Sequence, residues 1–259
     1  MKATVPTMRL DRLLANMGYG SRKDIQALVK AKRILLDGLP MSDADAHVPV
    51  SPDLSARMMV AGAPLDPPPG LVLMLHKPLG VTCSHKEAGP LVYSLLPPRW
   101  RVRKPAISTI GRLDKETSGF LLMTDDGGLL HRVIAPKSQV DKRYRVTLAR
   151  ALRGDEAAAL ASGTLLLDGE DKPLLPVAMQ LVPGFGESEP VVLVTLTEGR
   201  YHQVRRMFAA LGNHVSALHR DRVGGLTLPD DLVSGAYRVL DAATTARIFV
   251  SKQDTKTSC

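Results

Sequence analysis

"GRLDKETSGFLLMTDDG", Gly111 to Gly127, sets four apolar residues, Phe120 to Met123, directly behind a run of charged and hydroxyl side chains. A short apolar run closed by Asp125-Asp126-Gly127 reads as a buried strand ending in a turn. The polar run then lies at the mouth of that strand. Alternate residues of an extended segment share a face, so Arg112 and Asp114 are expected side by side, where the cation favours the ionised carboxylate. Two readings stay open here. Asp114 is a turn aspartate bonded to its own backbone, or a carboxylate that reacts.

The segments around this stretch decide the fold class. "LVLML" (Leu71 to Leu75), "KRYRVTLA" (Lys142 to Ala149) and "VVLVTLTEG" (Val191 to Gly199) read as strands. Gly128 to Ile134 reads as a short helix, and "HQVRRMFAALGNH" as a second one ending at Gly212-Asn213. Strands outnumber helices and do not alternate with them regularly. That predicts an α+β fold built on a mostly antiparallel mixed sheet. On the second helix Val204, Met207, Phe208 and Leu211 share the core face. Arg206 points away from it toward solvent or a phosphate, and Arg205 at its edge faces a semi-buried site. Two plain surface arginines are the alternative.

The N-terminal part reads as a separate small module. After a loose leader of seven residues, Leu10, Leu13, Leu14 and Met17 recur at helical spacing, with Gly18 as a C-cap. Ser21 and Asp24 form a capping box for a second helix, whose apolar face is Ile25, Leu28 and Val29. Arg22, Lys23, Lys30 and Arg33 lie off that face. A strand, Ile34 to Leu36, runs into the tight turn Asp37-Gly38. "GAPLDPPPG", Gly62 to Gly70, is proline-rich and reads as a linker.

Composition bounds the function. The formal net charge is +8, and basic residues cluster in Arg22–Arg33, in Arg99–Lys104 and among Arg200, Arg205, Arg206, Arg220 and Arg222. Clustered cations suit a phosphate backbone, although solvated faces would look the same. The chain has two cysteines, Cys83 and Cys259, which imply neither a disulfide framework nor a metal site. No zinc spacing, phosphate-cradling glycine loop or Ser-His-Asp signature stands out. His131, His202, His214 and His219 are scattered and read as structural or RNA-facing. With no apolar run near ~18 residues and no signal-peptide core, the expected location is the cytoplasm, with no membrane contact.

The motifs in combination resemble those of RNA pseudouridine synthases. "GRLDKETSGFLLMTDDG" is similar to the family's aspartate-bearing signature, "KRY" to its tyrosine motif and "EGRYHQVRRMFAALGNHV" to its third. "HKPLGVTCS", His76 to Ser84, is similar to the opening Asn-Lys-Pro-x-Gly strand, with His76 where asparagine is usual. The N-terminal module resembles an S4-type RNA-binding domain. Its position, together with "LHRDRVGGLTLPDDLVSGAYRVL", places the resemblance in the RsuA branch, which acts on small-subunit ribosomal RNA. The resemblance covers about residues 8 to 245. It implies an S4-type domain over 8–66, a catalytic domain over 67–250 and a disordered tail over 251–259.

The resemblance also implies a chemistry. A uridine of ribosomal RNA has its N1–C1′ bond cut, and the uracil turns and rejoins through C5, with no cofactor and no metal. Asp114 would be the catalytic carboxylate, attacking ribose or uracil or removing a ribose proton. Tyr144 would stack on the base, and Arg205 would partner Asp114, at a position where the branch often has lysine. Arg112 would act as a wedge or phosphate contact on the flipped nucleotide, and Arg22, Lys23, Lys30 and Arg33 would anchor RNA. The expected partner is ribosomal RNA, or an assembling ribosomal subunit, met by a monomer. The alternatives are a sister enzyme of large-subunit ribosomal RNA and a catalytically silent RNA-binding or ribosome-assembly protein.

Overall fold

Leu10, Leu13 and Leu14 recur every three or four residues, and in the computed structural model they are fully buried on one side of helix α1 (Leu10–Asn16). The structure describes residues 5–250 apart from 85, 87 and 187, so the expected tail at 251–259 lies outside the described residues. Ahead of α1, strand β1 (Thr7–Arg9) takes up the end of the supposed leader. Helix α2 (Arg22–Lys30) begins at Ser21, whose hydroxyl accepts from the Asp24 amide while the Asp24 carboxylate accepts from the Ser21 amide. This is the reciprocal capping box.

Strands β2 (Ile34–Leu36) and β3 (Leu39–Pro40) follow. Their turn has φ of 51° at Asp37 and 79° at Gly38, the left-handed pair that a two-residue hairpin needs. Then come β4 (His47–Pro49), α3 (Leu54–Arg57), β5 (Met58–Val60) and β6 (Ala63–Pro64). β1 pairs with β4, and the other four form a sheet in the order β3-β2-β5-β6. Leu10, Leu13, Leu14, Ile25, Ile34 and Met58 make the core beneath them.

The proline-rich segment is not a free linker. Ala63 and Pro64 are the edge strand β6, where a missing amide costs little. Leu65 is buried, the Asp66 amide donates to the Tyr19 hydroxyl at 2.8 Å, and Arg99 pairs with Asp66 at 2.6 Å. Arg103 donates to the Pro67 carbonyl at 2.8 Å, and the Gly70 amide donates to Asp125 at 2.8 Å. The chain accordingly divides into two compact units. The first gathers everything up to Val72 together with Tyr93–Ser108 and Thr124–Gly127. Inside it Arg103 and Asp125 form an ion pair at 2.9 Å with both side chains about 1% exposed. Burial pushes the Asp125 carboxyl up, and the charge of Arg103 opposes that.

The second unit holds β7 (Val72–Lys77), β8 (Ser108–Ile110) and α4 (Gly127–Ile134) beyond their first residues, β9 (Ser118–Thr124) up to its last, and β10 (Lys142–Leu148). It continues with α5 (Glu156–Ala161), β11 (Ala178–Leu181), β12 (Val191–Leu196), α6 (Gln203–Ala210) and β13 (Val215–Val223). It ends with β14 (Leu226–Thr227), β15 (Tyr237–Val239) and α7 (Ala242–Ala246). One sheet runs β11-β12-β10-β13-β9-β7-β15, with β14 on β13 and β8 on β9. β10 pairs antiparallel with both β12 and β13, whereas β9 and β13 are parallel. The fold is α+β on a mostly antiparallel mixed sheet.

At the parallel contact Gly119 is indispensable. Its φ is 107°, and a Cβ there would stand 2.2 Å from the Arg220 carbonyl oxygen. Among the described residues no helix is long and apolar enough to cross a membrane.

Candidate active site

Asp114 sits on the loop between β8 and β9, in a turn closed by the Thr117 amide donating to the Asp114 carbonyl at 3.0 Å. A fully buried lysine braces this turn. Lys77 donates from Nζ to the carbonyls of Thr117 (2.8 Å), Pro78 (3.0 Å) and Lys115 (3.4 Å). The Gly80 amide donates to the same Lys115 carbonyl at 3.0 Å. The "HKPLG" segment thus fastens the loop through its main chain. Buried carbonyls satisfied by a cation resist rearrangement, because opening the loop would strand that charge.

The loop opens into a cleft of about 880 Å³ lined by Asp114, Arg112, Tyr144, Lys142, His202, Arg205 and Arg220. The Asp114 side chain is 34% exposed. The His202 ring faces it, with Nε2 3.5 Å from Oδ1. Arg112, expected to hold that place, is exposed on the cleft and makes no hydrogen bond or ion pair among the described residues. The loop turns after Gly111, whose φ is 72°, so the face-sharing geometry of an extended strand does not apply there.

His202 owes its position to the loop before α6. It has φ 47°, a left-handed residue at the helix N-cap, and its ring stacks on Tyr201 with centroids 3.9 Å apart. Gln203 accepts from the Arg200 amide at 2.8 Å and donates to Glu198 at 2.9 Å. Arg200 also donates to Glu198 and to the carbonyls of Lys172 and Pro173. The whole "EGRYHQ" segment is therefore tied down, which sustains the strained residue.

The two adjacent arginines of α6 do different work. Arg205 donates to the Glu116 carbonyl at 2.8 Å and the Val215 carbonyl at 3.0 Å, joining the aspartate loop to the start of β13. It reaches the site as its helical position implies, but holds the loop backbone instead of the carboxylate. Arg206 does not face a free phosphate position. It pairs with Glu170 at 2.8 Å and donates to the Asp168 and Tyr201 carbonyls.

Tyr144, on β10, is only 9% exposed, so it presents a limited part of its ring to the cleft. Arg220, buried on β13, donates to the Tyr144 hydroxyl at 3.3 Å and to the Phe120 carbonyl at 2.7 Å. That fixes the phenol against the strand that follows the aspartate loop.

Comparison with known proteins places this cleft. The model of the RNA pseudouridylate synthase family matches residues 71–210, which contain the Asp114 loop, Tyr144 and all of α6. The chain belongs to the RNA pseudouridylate synthase family. The synthase also matches the S4 domain over residues 8–51, the part that carries α1 and α2. It is 40% identical to an uncharacterised RNA pseudouridine synthase, YtzG, of Bacillus subtilis, over 90% of this chain and 95% of that one. It is 38% identical to ribosomal small subunit pseudouridine synthase A of Vibrio parahaemolyticus, over 90% and 96% of the two chains. The Escherichia coli K12 protein of the same name is 37% identical with the same coverage. A crystal structure of a pseudouridylate synthase superposes with a TM-score of 0.63 at 31% identity, covering 93% of this chain and 99% of that one.

Three cleft or bracing residues escape a reading of the sequence alone. Lys77 looks like an ordinary strand-end lysine, and only its burial reveals its task. His202 counts as the first residue of an amphipathic helix until its left-handed φ turns it toward Asp114. Arg220 lies on a strand whose pattern hides it. The expected RNA contacts Arg22, Lys23, Lys30 and Arg33 are all exposed. Of these, Arg33 donates to the Ala61 carbonyl at 3.2 Å, and the other three have no hydrogen bond or ion pair among the described residues.

Proposed function

We propose that this pseudouridine synthase isomerises one uridine of small-subunit ribosomal RNA, with Asp114 as the catalytic carboxylate. The observation that carries this reading is the presentation of Asp114. It is a partly exposed carboxylate on a loop braced by Lys77 and Arg205, opening into a cleft of about 880 Å³. Reaching C1′ and C5 requires the uridine to leave its stack, at a cost of a few kcal/mol. Tyr144 offers a ring edge and face to the base, and stacking of this kind is worth about 1–3 kcal/mol. Arg112, unpaired at the cleft, contacts the phosphate of the flipped nucleotide. Arg205 positions the loop that carries Asp114. His202 holds the carboxylate from the opposite side of the cleft until substrate arrives.

The S4-type module, over 8–66, supplies a second grip on RNA through Arg22, Lys23, Lys30 and Arg33, and 67–250 is the catalytic domain. A tethered second module raises the local concentration of substrate at the cleft. The protein acts in the cytoplasm as a monomer, on ribosomal RNA or on the subunit assembling around it. The small-subunit target rests on the likeness to the Vibrio and Escherichia relatives. Mapping pseudouridines in both ribosomal RNAs from cells with and without the gene tests it. Loss of one small-subunit site is the expected result. Loss of a large-subunit site alone would transfer the assignment to the sister enzyme, and an unchanged map would refute it.

A further inference from the structure

Lys142 is the first residue of β10, two residues before Tyr144, and it lines the same cleft as Asp114. Its ammonium has three donors. One goes to the Thr197 carbonyl at 3.2 Å, and among the described residues the other two have no acceptor. The carboxylates nearby are largely engaged, although Oδ1 of Asp141 has no hydrogen-bond partner among the described residues. Asp141 pairs with Arg222 at 2.7 Å, and Glu198 accepts from Gln203, Arg200 and the Leu175 amide. Arg220, the other cation deep in the cleft, is oriented by bonds from Nε to the Phe120 carbonyl and from Nη1 to the Tyr144 hydroxyl. Lys142 is thus a half-buried, under-partnered cation lining the cleft that holds Asp114. A desolvated charge left this way is unfavourable until an anion or a strong acceptor completes it.

We propose that Lys142 is a catalytic residue whose ammonium donates a hydrogen bond to a carbonyl oxygen of the flipped uracil and stabilises the charge that gathers there as the N1–C1′ bond breaks. The inference rests on the reaction proposed above. When that bond breaks, its electron pair goes to N1 and is delocalised onto O2 and O4. When C5 then bonds to C1′, the C5 proton leaves to water and N1 takes a proton from water. The sum is an isomerisation, and Lys142 keeps its own proton throughout. A donor aimed at charge that develops only in the transition state lowers the barrier instead of merely tightening binding. The depth of Lys142 favours the base over a phosphate. The backbone of a flipped nucleotide stays at the mouth of the cleft, where the exposed Arg112 waits.

The electrostatics agree. Burial, with the charge of Arg220 on β13 adding to it, pushes the Lys142 ammonium down to about 8. Asp141 ahead of β10 and Glu198 after β12 pull weakly the other way. The protonated form therefore predominates at neutral pH and is lost as pH rises through about 8.

The test uses the full-length protein, small-subunit ribosomal RNA, and Lys142→Met and Lys142→Arg. Single-turnover pseudouridine formation should fall about 100-fold in Lys142→Met while RNA affinity stays within about threefold. Lys142→Arg should recover part of the rate. Thermal unfolding of Lys142→Met should be unchanged or higher in temperature, because an under-partnered charge is gone. With RNA below saturation, the wild-type rate should decline through about pH 8, and that of Lys142→Arg should not. A Lys142→Met rate within about threefold of wild type would overturn the proposal. So would weakened affinity at an unchanged saturating rate, which would make Lys142 a phosphate contact. A lowered unfolding temperature with equal rate losses in both variants would make it structural. If the wild type modifies only large-subunit RNA, the target assignment falls and the same variants are compared on that RNA. Inactivity of the wild type on both would overturn the reaction assignment and this proposal with it.

Discussion

Asp114 and the two arginines of α6 show how adjacent residues acquire unequal roles. Arg205 clamps the Glu116 carbonyl, two residues beyond Asp114, whereas Arg206 is bound to Glu170 and Asp168 away from that loop. A displacement of the carboxylate by about 1 Å costs on the order of 100-fold in rate. Arg205→Ala should therefore lower the single-turnover rate about 100-fold, while Arg206→Ala should keep most of the rate and lose about 1 kcal/mol of stability. Single-turnover kinetics beside urea unfolding of both variants checks this, and the reverse order of rates would contradict it. The helical spacing of Val204, Met207, Phe208 and Leu211 is enough to separate the two arginines, and all four residues are buried. It does not reveal that Arg205 grips a carbonyl, because backbone acceptors leave no trace in side-chain patterns. His202 was out of reach for a related reason. Its left-handed φ depends on the bonds around Arg200 and Gln203, which a helical projection does not contain.

Among the elements, β13 is the least legible in the sequence and the most consequential for the cleft. "VSALHRDRV" reads as a polar segment, yet it lies between β10 and β9 with Arg220 and Arg222 buried. The usual alternation fails because the inward arginines serve Tyr144, Phe120 and Asp141 in place of an apolar core. By contrast α2 announced itself through Ser21 and Asp24, and the β2–β3 hairpin through Asp37-Gly38, since caps and turns are local chemistry. The proline-rich segment misled because proline marks edge strands as well as linkers. The close approach of β9 to β13 yields a prediction. Gly119→Ala would drive a Cβ to 2.2 Å from the Arg220 carbonyl at a φ of 107°. It should cost about 3 kcal/mol or more, read as a lowered urea midpoint. A midpoint equal to wild type would show that the two strands can part without penalty.

For the whole molecule, the division into two units changes how the RNA-binding module must be tested. Cutting after residue 66 would break the pair of Asp66 with Arg99 and the bond from the Lys104 amide to the Asn16 carbonyl, and would leave Tyr93–Ser108 without its unit. Reversing charge on the surface of α2 avoids this. The triple variant Arg22→Glu, Lys23→Glu, Lys30→Glu reverses three exposed cations that make no hydrogen bond or ion pair among the described residues. If each contacts a phosphate, the slope of log affinity against log salt should fall by about 2. An unchanged slope would place the RNA elsewhere. The catalytic unit needs no such caution, because every residue lining its cleft belongs to that unit.

The central claim is that Asp114 performs the isomerisation. Its most direct test incubates full-length wild type and Asp114→Asn with small-subunit ribosomal RNA and detects pseudouridine base by base. The wild type should form it at one position. Asp114→Asn should form none while binding the RNA within about threefold of wild type, as expected when only a transition-state contact is removed. Pseudouridine formed by Asp114→Asn at the wild-type rate would contradict the account.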